Sequence, residues 1–425
     1  MREHSFRLLW IGETVSGVGN AMALVGVPLV AVVVLHASTF AIGLLTAAGW
    51  LPWLVIGLPA GAWVDRLPVR PVMIIADLIS AALYFGIPVA AWAGVLTTGL
   101  LVGVQLSAGA ASVLFMTGYQ VYLPSVVDAD DLIEGNTKMQ GSASAAAFGG
   151  PGLAGLVAQA LGAVTALAGN ALSFLVSAGC LLGARPRVAA NQDIRQPGQR
   201  YKMTEEIGAG VLLVVRDPHL RQLSVFWAVA NLALTGYTAL AVVFLVRVVG
   251  LPAGWVGVLA AVPGLGGVLG AVVTGRIAAR CGTARALLLA TWLGLPASLL
   301  IPLTGPGWRL AYYVAGSLVA YTGIGIGNII IAAFRQAHSP PGMCGRVTAT
   351  MRFFIFATSP VGALIGGSLG TQLGIRPALW IMLGLAVASG TLLCTRALRA
   401  ERDLPGQRRP NRTEFTRRKF VPNLN

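Results

Sequence analysis

Charge is the first thing this sequence lacks. Only 11% of its 425 residues are Asp, Glu, Lys or Arg, against about 25% in an ordinary globular chain. So few charges cannot wet a soluble surface, which excludes a soluble enzyme, a nucleic-acid binder and a disordered chain as readings of the whole protein. Carboxylates are scarcer still: there are fifteen, and none lies between Pro218 and Ala400. The three lysines (Lys138, Lys202 and Lys419) never follow a glycine. No phosphate-cradling G-x-x-x-x-G-K-[ST] loop exists, so this chain is not an ATP-driven pump. Cys180, Cys281, Cys344 and Cys394 show neither paired nor metal-ligand spacing, and no cofactor or metal is expected.

Apolar residues are what the chain has, 56% of the total. A membrane-spanning helix needs about 20 of them in a row. Runs of that kind fall at roughly 8–35, 40–63, 72–93, 97–123, 138–160 and 163–184, and then at 222–246, 254–279, 286–304, 310–334, 348–371 and 376–396. The first is too long for a signal-peptide core. The fold class expected is an all-α membrane protein of twelve transmembrane helices in two six-helix repeats. The expected domains are an N-terminal half at 1–184, a linker at 185–221, a C-terminal half at 222–400 and a basic tail at 401–425.

With the N-terminus inside, the inner segments hold 27 of the 30 Lys and Arg. The outer loops keep only Arg247, Arg309 and Arg376. That asymmetry places both termini in the cytoplasm. It also accounts for the net charge of +15 through topology and anionic lipid, without nucleic acid. From Thr204 to Val215, apolar residues at helical spacing predict an amphipathic helix on the inner membrane surface, stopped by Pro218.

The halves echo each other. Gly149-Gly150-Pro151-Gly152-Leu153-Ala154-Gly155 sits in the fifth span, and Ser359-Pro360-Val361-Gly362-Ala363 sits in the eleventh. The second span ends in Gly61-Ala62-Trp63-Val64-Asp65-Arg66-Leu67-Pro68-Val69-Arg70, and the eighth ends in Gly275-Arg276-Ile277-Ala278-Ala279-Arg280. The first of these loops resembles the signature between the second and third helices of the major facilitator superfamily, and Pro151 with its glycines resembles the fifth-helix motif of its antiporters. Phe6 to Trp10, Tyr122 to Val127, Asn170 to Phe174 and Gly345 to Val347 are similar to the macrolide- and siderophore-exporter branch of drug:proton antiporters. The chain departs from that pattern in having no arginine in its fourth span, and in Ala154, which replaces a motif glycine.

The resemblance implies a gate loop in which Gly61, Asp65, Arg66 and Arg70 pack against the inner end of the eleventh helix, near Arg346 and Arg352. It also implies a flexible or sliding fifth helix at Gly150, Pro151 and Gly155. By elimination, Glu13 and Asp77 are the only carboxylates inside spans. Ionisable groups there are costly and usually functional, so these two are the proton-coupling candidates. For Asp77 the alternative is a structural pair with Arg70, and for Glu13 a side chain reaching back to the inner interface. The first, fourth, seventh and tenth helices of this fold line a central pathway. Asn20, Gln105, Trp227, Asn231, Tyr321 and Asn328 are therefore candidates for a cavity that suits an apolar or cationic amphiphile.

The expected function is secondary active export of a small hydrophobic or amphipathic compound by proton antiport with alternating access. The partners are that compound, protons and membrane lipid. The protein is expected to act as a monomer, and not as an enzyme, in a bacterial cell membrane. An importer of the same fold is the rival. A membrane-embedded enzyme holding Mg²⁺ on Asp128, Asp130, Asp131 and Glu134 is a remote alternative.

Overall fold

A computed structural model describes residues 4–64, 66–127, 131–184, 211–340, 343–393 and 402–404. Among them, all regular structure is helical. The first half comprises α1 (His4–Leu29), α2 (Thr39–Val55), α3 (Gly57–Val64), α4 (Val69–Trp92), α5 (Thr98–Val126), α6 (Leu132–Leu161) and α7 (Ala163–Gly183). The second comprises α8 (Pro218–Val243), α9 (Ala253–Cys281), α10 (Thr283–Ala297), α11 (Leu310–His338), α12 (Cys344–Gln372) and α13 (Ile375–Ser389). Eleven of these helices, some with short extensions, are long and apolar enough to cross a membrane. The pair α2 and α3 supplies the twelfth rod.

That rod differs from the single span expected at 40–63. Pro59 has no amide with which to bond the carbonyl of Val55. The helix therefore stops at Ile56, whose amide still bonds the Pro52 carbonyl at 2.8 Å, and restarts at Gly57. The predicted amphipathic helix is helical at 211–216, and its earlier part lies outside the described residues, as does nearly all of the basic tail.

The repeat is written into the backbone. After α1 the helix widens over Val30–Val34, and after α8 it widens over Phe244–Val248. The turns that follow place His36 (φ 49°) and Gly250 (φ 78°) in left-handed geometry. Glycine adopts that geometry freely, whereas His36 does so at a steric cost.

We call the end of the bundle holding residues 4 and 393 the near end, and the end holding these turns the far end. Within the first half α1 packs on α6 and α7, and α4 packs on α5 and α7. Within the second, α8 packs on α12 and α13, and α11 packs on α9 and α10. The two halves meet chiefly through α2 against α12 and α6 against α9. Hydrocarbon provides no hydrophobic drive between helices, so such contacts depend on close van der Waals packing of small residues.

Candidate functional site

Glu13 and Asp77 are carried by two helices, α1 and α4, that both pack on α7. Glu13 is in the third turn of α1 and Asp77 in the third turn of α4. Gly12 lets α1 lie against the Ser177 backbone of α7, where a Cβ would be 3.3 Å from Ser177 Cα. Asp77, only 2% exposed, shares a hydrogen bond with the Ser177 side chain. Its Oδ2 and Glu13 Oε1 are both buried with no hydrogen-bond partner among the described residues. No hydrogen bond joins the two carboxyls among the described residues.

Arg70 does not join them. Its Nε donates to the Leu181 carbonyl at 2.8 Å and its Nη2 to the Leu182 carbonyl at 2.5 Å. These are the last carbonyls of α7, where a cation is favoured. The expected Arg70–Asp77 pair is replaced by a helix cap, and this leaves the acids without that cation.

In the gate loop Gly61 faces open space and Arg66 is exposed. Asp65 lies outside the described residues. Arg346 is half-buried near the start of α12, and Arg352 is exposed two turns into it. Asp128 and Asp130 also lie outside the described residues. Asp131 precedes α6, and Glu134 pairs with Lys138 at 2.7 Å.

The fifth-span motif has a clear geometric role. Gly150 presses on the Val18 carbonyl of α1, 2.9 Å from where its Cβ would stand. One turn on, a Cβ at Gly155 would lie 2.5 Å from the Cα of Gly257 in α9. The carbonyl of Pro151 sits 2.6 Å from the corresponding point of Gly257. The other junction mirrors this one: a Cβ at Gly43 in α2 would lie 2.9 Å from Gly367 Cα in α12. Both glycine pairs are in the far-end turns of their helices. Deeper along the α2–α12 seam, Phe356 stacks on Trp50 at 5.5 Å and lies tilted against Trp53 at 5.0 Å.

The cavity candidates divide. Asn20 and Asn328 are exposed. Trp227 lines a small apolar cavity between α8, α10 and α11 with Ala230, Leu234, Leu287, Gly323 and Gly327. The half-buried Tyr321 packs its Cβ toward Gly266 of α9. Asn231 Oδ1 accepts from Thr235 Oγ1 at 2.9 Å and from Ser359 Oγ at 3.0 Å, bridging α8 and α12. Gln105 Oε1 accepts from the Tyr84 hydroxyl at 3.1 Å. Sequence reasoning missed the roles of Ser177 and Ser359. Each is an ordinary polar residue whose importance lies in what it touches across helices.

The chain matches the model of the Major Facilitator Superfamily over residues 9–362. It is 28% identical over 389 residues to the multidrug efflux pump Tap of Mycolicibacterium fortuitum, covering 87% of this chain and 90% of that protein. It is 27% identical over 353 residues to the uncharacterized MFS-type transporter y4rN of Sinorhizobium fredii, covering 81% and 82%. Its fold is similar to a crystal structure of the nucleoside transporter NupG, with a TM-score of 0.73 at 14% identity over 94% of this chain and 100% of that one. It is also similar to a bacterial homologue of the iron transporter ferroportin in an inward-facing state, with a TM-score of 0.67 at 17% identity over 92% and 97%. At such identities these structures speak for the fold alone.

Proposed function

The chain belongs to the Major Facilitator Superfamily, and on that premise we propose that it exports a small hydrophobic or amphipathic compound in exchange for protons. It is a transporter, not an enzyme, and a multi-pass membrane protein. The transport cycle is alternating access, the two halves rocking about the cleft between them. In this reading the near end faces the cytoplasm with both chain termini, the halves and the 185–221 linker are its units, and the single chain is the carrier in a bacterial cell membrane. Export is supported by the likeness to an efflux pump.

The observation that carries the coupling is that Glu13 and Asp77 each keep a buried oxygen without a hydrogen-bond partner among the described residues, on two helices that pack on the same third helix. Ionisable groups in apolar surroundings are costly and usually functional, which makes these two acids the proton-coupling candidates. Glu13 is nine residues past the first described residue of α1, roughly 13 Å along the helix. A proton entering from the far side would therefore be released toward the near side when the cleft opens there. The far-end glycine pairs support that open state, because they close the halves where the helices are thinnest.

In everted membrane vesicles, a compound identified by a resistance panel should accumulate when the lumen is acidified. Glu13→Gln should insert normally and lose gradient-driven accumulation by at least tenfold. Accumulation on lumen alkalinisation instead would indicate symport, and full activity of Glu13→Gln would remove Glu13 from the coupling.

A further inference from the structure

We infer that the turn joining α9 to α10 is a binding site for an anionic phospholipid, whose phosphate is held by Arg276, Arg280, Arg285 and Arg402 and whose acyl chains lie on the exposed faces of the two helices. Such a site requires only that the chain sit in a bilayer, whatever it transports.

Gly282 makes that turn, in left-handed geometry at φ 89°. Arg280 is two residues before it and Arg285 three after, and both are exposed. Arg276 is one helical turn above Arg280 on α9 and is exposed too. The fourth guanidinium arrives from elsewhere in the sequence. Beyond α13 the chain returns to this turn, where the Arg402 carbonyl accepts from the Ala284 amide at 3.2 Å and Asp403 Oδ1 from the Thr283 amide at 2.9 Å. The Leu404 amide donates to Thr283 Oγ1 at 2.9 Å, and the Leu404 side chain is fully buried. A Cβ at Gly282 would stand 2.5 Å from Arg402 Cγ, so this strap presses Arg402 onto the turn itself.

None of the four arginine side chains has a hydrogen-bond or ion-pair partner among the described residues. The first half treats its equivalent turn differently, because Arg70 there is spent on the last carbonyls of α7. Asp403 offsets one charge at most, with one oxygen already committed to Thr283, and Glu401 lies outside the described residues. Planar guanidinium forks gathered at one turn match the oxygens of a phosphate.

The faces above the arginines make that phosphate a lipid headgroup. Arg285 shares a face of α10 with Leu289, Trp292 and Leu293, and Arg276 shares a face of α9 with Leu269 and Val272. All five apolar side chains are exposed. In a bilayer such faces meet acyl chains, and basic groups at their ends meet anionic headgroups.

Titrating the purified full chain in detergent with phosphatidylglycerol and phosphatidylcholine, each carrying the same fluorescent label, tests the site. The wild type should bind phosphatidylglycerol saturably and about tenfold more tightly than phosphatidylcholine. Arg280→Gln with Arg285→Gln should remove most of that preference, and Arg402→Gln alone should reduce it. Arg216→Gln with Arg221→Gln takes the same charge from the same end of the bundle and should leave the preference intact. Gel filtration and thermal midpoints check that each variant is folded. Equal binding of the two lipids by the wild type overturns the proposal, as does an equal loss in the two double variants or none in the first. Displacement of the lipid by inorganic phosphate would make this a site for the free anion and overturn it as well.

Discussion

Arg247, just beyond α8, donates from Nη2 to the backbone carbonyl of Ala37 at 2.7 Å. This bond joins the two halves across the far mouth, beside the Gly43–Gly367 and Gly155–Gly257 contacts. Of the three arginines at that end, Arg376 is spent within its own half, on the Thr304 carbonyl at 2.9 Å and over the Phe244 ring. Arg247 is the one that crosses.

Replacing Arg247 with Gln should therefore loosen far-end closure. A hydrogen bond of this kind is worth about 1 kcal/mol net, or roughly a fivefold change in the balance between closed and open forms. A cysteine introduced at Ala37 should react about that much faster with a membrane-impermeant maleimide in the Arg247→Gln background. An unchanged rate would mean the bond does not hold the mouth shut.

Two glycines on one helix should behave in opposite ways. Gly152 faces open space, so Gly152→Ala should be neutral or raise stability by up to about 1 kcal/mol through helix propensity. Gly155 has no room for a methyl group against Gly257. Gly155→Ala should cost about 1–3 kcal/mol by overpacking, read as a lower thermal midpoint in detergent and slower transport. Equal effects at the two sites would contradict the close approach.

Asp217 sets a pH dependence at the near end. Its Oδ1 accepts from the amides of His219 and Leu220, both at 2.9 Å, capping α8. Its Oδ2 accepts from His338 Nε2 at 2.8 Å, at the end of α11. Burial by itself would push the carboxyl up, but the Leu220 amide, His338 and the His219 amide together outweigh it and hold the group below its usual value. A lowered folded value means that the contribution is complete above the unfolded value of about 3.9. It is lost only as pH falls through the folded one. Asp217→Ala should thus cost about 1–2 kcal/mol at pH 7 and nearly the same at pH 5, with the gap to wild type closing in stronger acid. Thermal midpoints across that range measure it, and a gap that closed between pH 7 and pH 5 would point to a different group.

Glu13 and Asp77 could be picked out from the sequence because a carboxylate within an apolar run is rare enough to find by elimination. Their common support on α7 could not. It depends on Gly12 bringing α1 onto α7 and on Ser177 of α7 reaching Asp77, and neither residue stands out in a chain with 54 glycines. Arg70 shows the reverse error. Proximity in sequence suggested a partner for Asp77, but the carbonyls at the end of α7 offered the guanidinium two acceptors at once. In the motif Gly150-Pro151-Gly155 the small residues were legible, yet Gly257, on which Gly155 rests, carries no motif of its own. The break at Ile56 was readable in principle from Pro59, and was obscured because the apolar run continues straight through it.

Composition alone determined that this chain lives in lipid. A polypeptide with so few charges has no other stable solvent, and apolar runs of spanning length leave the backbone no choice but to bond within each helix. Order along the chain also determined the duplication, since each half repeats its punctuation. Packing decided which helices touch, where the two halves close and which helix the two acids share. Those are relations between residues far apart in sequence, fixed by surface shape and by the need of each buried polar atom for a partner, and no local pattern encodes them.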